Sequence, residues 1–304
     1  MRFLRRSVPA PDTQPRRNVS IGSVTLPNPV MTASGTAGHA DELGRYVDLA
    51  SLGAVVVKSL LPEPWPGNPA PRVHATDGGM INSVGLQGPG IEAWLEHDLP
   101  RLRRVGARVV ASIWGRTVEE YAKGAAMLEG AGVVAVEVNL SCPNTDHGVR
   151  TGGGGRALFA HDERATEEVM DATSAAGVPR WAKLSPNTDR LVDIAAAARR
   201  GGAEAVTLIN TVMALALDAR GEYRLGSGAT GGGLSGPAIH PIAVRAVHDV
   251  HTAHPDLPII GVGGVRDAAT AKELLMVGAT AIQVGTATFA DPRTLRRVLA
   301  GLQA

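Results

Sequence analysis

The single cysteine of the chain, Cys142, stands in the run Asn139-Leu-Ser141-Cys142-Pro-Asn144, just past a short apolar stretch. A lone cysteine is most often a small buried hydrophobe. Polar neighbours make this a poor core position, and a thiolate here could serve as base or nucleophile. Lys58 and Lys183 lie inside apolar runs. An ammonium there is costly unless an anion meets it, so the two lysines point to an anionic ligand or to internal salt bridges. Asn82, Asn139, Asn144 and Asn210 each offer a donor and an acceptor. Gathered at one mouth, they would suit a planar ligand with alternating C=O and N–H groups, such as a pyrimidine. Gly261-Val-Gly263-Gly264 and Gly285-Thr286 would let backbone N–H groups approach a phosphate, and Arg266 could add a side-chain contact. The Gly-rich stretch 145–155 suits a lid over the site, with His147 inside it. His240, His248, His251 and His254 fall on or near one late helix and are expected to face solvent. No metal-ligand spacing is present.

Such residues need a scaffold that brings them to one place. One unit recurs: a helical stretch rich in Ala, Leu and Arg, then Gly, then a short apolar run. It is seen around Gly53, Gly106, Gly130, Gly202 and Gly278. The Gly is expected to end each helix in a left-handed turn. The continuous apolar run that follows suits a parallel strand covered on both faces. With three further runs, eight strands are expected near 29–34, 54–59, 108–113, 135–140, 180–185, 205–210, 258–263 and 281–286. Eight strands alternating with helices predict an α/β fold, a (β/α)₈ TIM barrel; an open doubly wound sheet is the rival. In a barrel the chemistry sits at the C-terminal strand ends, where the polar residues above fall. Residues 19–26 predict a short N-terminal β-hairpin capping the barrel bottom. Residues 1–17, with three prolines, predict a flexible tail ahead of one domain over 18–304.

Composition narrows the function. A formal net charge of +1 gives no electrostatic footprint for nucleic acid. No apolar stretch approaches the ~20 residues of a membrane helix, and no signal-peptide core is evident. With one cysteine no internal disulfide forms, and a cytoplasmic location is expected.

Several segments match a known family in order: Ala33-Ser34-Gly35, Lys58-Ser59, Asn82-Ser-Val-Gly85-Leu86, Asn139–Asn144, Lys183, Asn210-Thr211, Gly-Leu-Ser-Gly236, Gly263-Gly264 and Gly285-Thr286. Over about residues 19–300 the chain resembles the soluble class 1 dihydroorotate dehydrogenases. The membrane-bound class 2 enzymes carry Ser as the base, and dihydropyrimidine dehydrogenases typically have His where Asn144 stands. The stretch Gly231–Pro241 resembles the type B subgroup most.

The resemblance implies FMN-dependent oxidation of dihydroorotate to orotate in pyrimidine biosynthesis. Cys142 would take the C5 proton and the flavin N5 the hydride, with Lys58 between flavin and substrate. Asn82, Asn139, Asn144, Asn210 and Thr211, with Gly85 and Leu86, would hold the substrate. Ala33, Ser34, Gly35, Lys58, Ser59, Asn139, Lys183, Gly236, Gly263, Gly264, Gly285 and Thr286 would hold FMN. It also implies a homodimer and a partner subunit carrying FAD and an iron–sulfur cluster that passes electrons to NAD⁺. The alternatives are an FMN oxidoreductase of another dihydropyrimidine, such as dihydrouracil, and a non-catalytic flavin-binding subunit. Gly88 stands where the family commonly has Asn, which predicts a missing polar group near the substrate mouth.

Overall fold

The computed structural model describes residues 18–141, 149–150, 156–157 and 159–304. Residues 1–17, read as a tail, lie outside the described residues. The eight expected strands are present, in chain order Val30–Thr32, Val55–Val56, Val109–Ile113, Ala135–Asn139, Arg180–Lys183, Ala205–Leu208, Ile259–Val262 and Ala281–Val284. From the second strand to the eighth, each pairs in parallel with the next, and the eighth returns to the first. A parallel bridge between Met31 and Ala54 joins the first strand to the second and closes the barrel.

Helices follow the strands as the recurring unit requires. Thr117, Asp162 and Asp267 begin three of them, each side chain accepting a backbone N–H of the first turn. The first crossover differs: two short 3₁₀ turns, Glu42–Arg45 and Leu49–Ser51, stand where an α-helix would be. The left-handed turn is present at Gly106, Gly130, Gly202 and Gly278 but not at Gly53. Gly53 is required for another reason. A Cβ there would lie 2.4 Å from the Asn28 carbonyl oxygen and 3.0 Å from that of Val30, so the close approach of two backbones excludes a side chain.

The barrel has two apolar regions. One lies between the strands and the surrounding helices. The other fills the bottom of the barrel, where Trp181, Met31, Val56 and Ile260 pack against Val19, Ile21, Val24 and Leu26. Those last four residues belong to the hairpin Val19–Ile21/Val24–Leu26, which caps the barrel as expected.

A second sheet was not legible in the sequence. Val73–Thr76, Gly79–Asn82, Gly232–Ser235 and Val212–Ala214 form a four-stranded antiparallel sheet. It joins the excursion after the second barrel strand to the one after the sixth. Among the described residues no helix is long and apolar enough to cross a membrane.

Gly53→Ala should destabilise the chain by roughly 1–3 kcal/mol, the usual cost of forcing atoms into a filled space. Urea unfolding measures this; a loss of only a few tenths would show that the two backbones can part.

Candidate active site

Side chains along a strand alternate between faces. In Ala135-Val-Glu-Val-Asn139 the valines join the outer apolar layer, which leaves Ala135, Glu137 and Asn139 inside the barrel. Trp181 and Lys183, Ala205 and Thr207, and Ala281 and Gln283 follow the same alternation. The interior is therefore apolar at the bottom, charged and polar in the middle, and polar at the mouth.

Glu137 is fully buried in that middle layer. Its Oε2 accepts from Thr207 Oγ1 at 3.1 Å and from Gln283 Nε2 at 2.7 Å. Its Oε1 has no hydrogen bond and lies 3.8 Å from Lys183 Nζ. The two alternatives for Lys183 thus meet: it has an internal counter-ion and also borders the cavity above.

At the mouth a chain of side-chain hydrogen bonds links the strand ends. Ser59 Oγ is 3.1 Å from Ser34 Oγ and 2.8 Å from Ser112 Oγ, and accepts from Asn139 Nδ2 at 3.0 Å. Asn139 Oδ1 accepts from Ser141 Oγ at 3.2 Å and from Asn210 Nδ2 at 3.4 Å, and Asn210 also donates to Ser141 Oγ at 2.9 Å. Tyr121 fixes the end of the fourth strand by donating to the Asn139 carbonyl at 2.7 Å. These amides are oriented before any ligand arrives.

Across the cleft are the glycines. Gly236, Gly263 and Gly264 have φ of 96°, 133° and 68°, a region that favours glycine. A Cβ on Gly264 would lie 2.6 Å from His240 Cβ, and one on Gly236 2.8 Å from Gly79 Cα. Thr286 Oγ1 donates to Ser235 Oγ at 2.8 Å and ties this side to the antiparallel sheet. On a third side the backbone turns at Gly85 and Leu86, both with positive φ. A leucine in that conformation is strained by about 1–2 kcal/mol. The turn is held by Trp65 Nε1, which donates to the Gly85 carbonyl at 3.0 Å.

One cleft of about 1000 Å³, open mouth included, is lined by every residue that the resemblance assigns to substrate or FMN and that the structure describes. These are Ala33, Ser34, Gly35, Lys58, Ser59, Asn82, Gly85, Leu86, Asn139, Lys183, Asn210, Thr211, Gly236, Gly263, Gly264, Gly285 and Thr286. Cys142, Asn144 and His147, with most of the expected lid, lie outside the described residues. Sequence reading missed several lining residues: Thr36, Val73, Met80, Val84, Ile209, Ser235, Ile239, Val262 and Phe289. Most are apolar, so no type-based signal marks them. Glu137 was also missed, although the alternation in its strand points it inward.

Three expectations need correction. Arg266 does not border the cleft; it is exposed beside Asp267. Three of the late-helix histidines do not simply face solvent. His240 is buried, and both ring nitrogens have partners. His251 and His254 are half-buried, and His254 bonds the Val192 carbonyl. Gly88 is not on the cleft wall: a Cβ there would meet His39 Nε2 at 3.4 Å and the Ser59 carbonyl oxygen at 3.8 Å. Burial, with the nearby Lys58 charge adding to it, holds the His39 imidazole below its usual range.

The chain matches the family model described as dihydroorotate dehydrogenase over residues 17–304. It is 45% identical over 292 residues to a protein of Alkaliphilus metalliredigens named dihydroorotate dehydrogenase B (NAD(+)), catalytic subunit, covering 96% of this chain and 94% of that one. A protein of the same name from Geobacter sulfurreducens is 42% identical, covering 95% and 93%. Among solved structures, DHODH from Eimeria tenella in complex with ferulenol superposes with a TM-score of 0.77 at 22% identity, over 95% of this chain and 84% of that one. That likeness supports the barrel fold.

Replacing Glu137 by Leu should cost about 3–5 kcal/mol, because it leaves the Lys183 charge buried without its partner. The double variant Glu137→Leu/Lys183→Met should recover most of that loss in guanidinium unfolding. Simple addition of the two single losses would show that the charges do not depend on each other.

Proposed function

Because the chain belongs to the dihydroorotate dehydrogenase family of oxidoreductases, and the relatives described above are named as type B catalytic subunits, we propose that it oxidises dihydroorotate to orotate with bound FMN. The observation that carries the reading is the convergence of two lysines, three asparagines and the glycine cradle on one cleft. The residues present fit FMN. The cradle at Gly236, Gly263 and Gly264 has no room for side chains and presents backbone, as a phosphate requires. Lys183 reaches the same cleft from below with its charge balanced by Glu137. FMN, when bound, takes up the two electrons and the proton that leave the substrate as hydride.

The chain's own residues divide the remaining work. Gly236, Gly263, Gly264, Gly285 and Thr286 hold the phosphate end. Ala33, Ser34, Gly35 and Ser59 border the ring system, and Lys183 offsets negative charge at its pyrimidine edge. Asn82, Asn139, Asn144, Asn210 and Thr211 hold the substrate ring and carboxylate, helped by the backbone at Gly85 and Leu86. Orientation of Asn139 and Asn210 by Ser59 and Ser141 means that little reorganisation accompanies binding. Lys58 supplies positive charge between cofactor and substrate. Cys142 accepts the proton from C5 as the C6–H bond electrons depart, which leaves the C5=C6 double bond of orotate.

The names of the relatives support a second subunit. We assign to it FAD and an iron–sulfur cluster, with NAD⁺ as final acceptor, and to this chain a homodimeric catalytic core.

Anaerobic mixing of the FMN-loaded chain with dihydroorotate should bleach the flavin. Cys142→Ala should slow that bleaching by about 10²–10⁴-fold, the contribution of a positioned base, while FMN stays bound. Bleaching by dihydrouracil but not by dihydroorotate would overturn the substrate assignment.

A further inference from the structure

His240 begins the helix His240–Ala253, yet its side chain turns inward and is 10% exposed. Its Nδ1 is 2.8 Å from the Gly263 carbonyl oxygen and its Nε2 is 3.1 Å from Glu273 Oε2. A carbonyl oxygen can only accept, so Nδ1 carries a proton. On its other side Nε2 meets the exposed Glu273 side chain, so the ring is held from both ends. Gly264 rests directly on this residue: a Cβ built on it would lie only 2.6 Å from His240 Cβ.

The direction of the bond to Gly263 matters for the cleft. A trans peptide points its C=O and the next N–H to opposite sides. With the Gly263 oxygen turned onto His240, the Gly264 N–H is turned away from it, and Gly264 borders the cleft. A donor on the carbonyl also polarises the peptide and strengthens its N–H as a donor.

We infer that His240, held by Glu273, is a positioning residue for the phosphate of the cofactor. It fixes the Gly263–Gly264 peptide with its N–H toward the cleft. It touches no ligand atom and acts only on the phosphate end. The inference rests on the FMN reading above.

The test compares two flavins that differ only in the phosphate. The full chain is stripped of flavin and titrated with FMN and with riboflavin, following the quenching of flavin fluorescence, as wild type, His240→Leu and His240→Asn. Leucine removes the donor to the Gly263 carbonyl, and asparagine returns a short neutral donor to the same place. The preference for FMN over riboflavin should fall about fivefold in His240→Leu, the weight of one hydrogen bond. It should return toward wild type in His240→Asn, with riboflavin affinity within about twofold of wild type in both. An unchanged preference in His240→Leu, or equal weakening of both flavins, overturns the inference. Should His240→Leu not fold, the same titrations on Glu273→Ala, which removes the outer partner of the ring, decide by the same criterion. A wild-type chain that binds both flavins equally would instead sink the phosphate cradle itself, and the role of His240 with it.

Discussion

Glu137 places a carboxylate in the middle of the barrel, where the charge must be met by protein alone. Lys183, Thr207 and Gln283 meet it, from the fifth, sixth and eighth strands. The cost of an unmet buried charge is several kcal/mol. Four strands are thereby held to one register, in which Lys183 lies beside Asn139 and Thr207 beside Lys183. A slip of one residue in the fourth strand would turn Glu137 out into the helix layer and bring Val138 in. The heights of Asn139, Lys183 and Asn210 at the mouth follow from that register.

Above this layer the interior becomes steadily wetter. Trp181 seals the bottom, the Glu137 cluster occupies the middle, and a network of amides and hydroxyls faces the cleft. Few of the mouth groups are left to find partners for themselves. Ser59 alone joins Ser34, Ser112 and Asn139, three different strand ends, through a single hydroxyl. The hydroxyls and amides that line the cleft are held by hydrogen bonds that run sideways between strands.

The barrel was legible because parallel strands covered on both faces leave unbroken apolar runs such as Gly53–Val57, separated by helix-ending glycines. Many residues that line the cleft were legible because they are polar types at the ends of those runs. Glu137 was hidden by its valine neighbours, which make Ala-Val-Glu-Val-Asn read as one apolar run although only alternate residues face the helices. The antiparallel sheet was hidden because its strands are short and Gly-rich, and their partners lie far away in the chain. His240 was misread because helical periodicity says nothing of a carbonyl on another loop. Gly53 was expected to end a helix in a left-handed turn and does not: it lacks a positive φ, and its missing Cβ is what the fold uses.

The antiparallel sheet also bears on when the cleft can exist during synthesis. Asn82 Nδ2 donates to the Gly233 carbonyl, a contact across 151 positions, and Thr286 anchors to Ser235 from nearer the C-terminus. A ribosome adds roughly 5–20 residues each second, so Asn82 waits many seconds for its partner strand. The wall that carries Asn82 and the cradle at Gly236 are completed only when nearly all of the chain has emerged. A half-made chain therefore has no complete cleft, and any ligand of the cleft can be held only by the finished polypeptide.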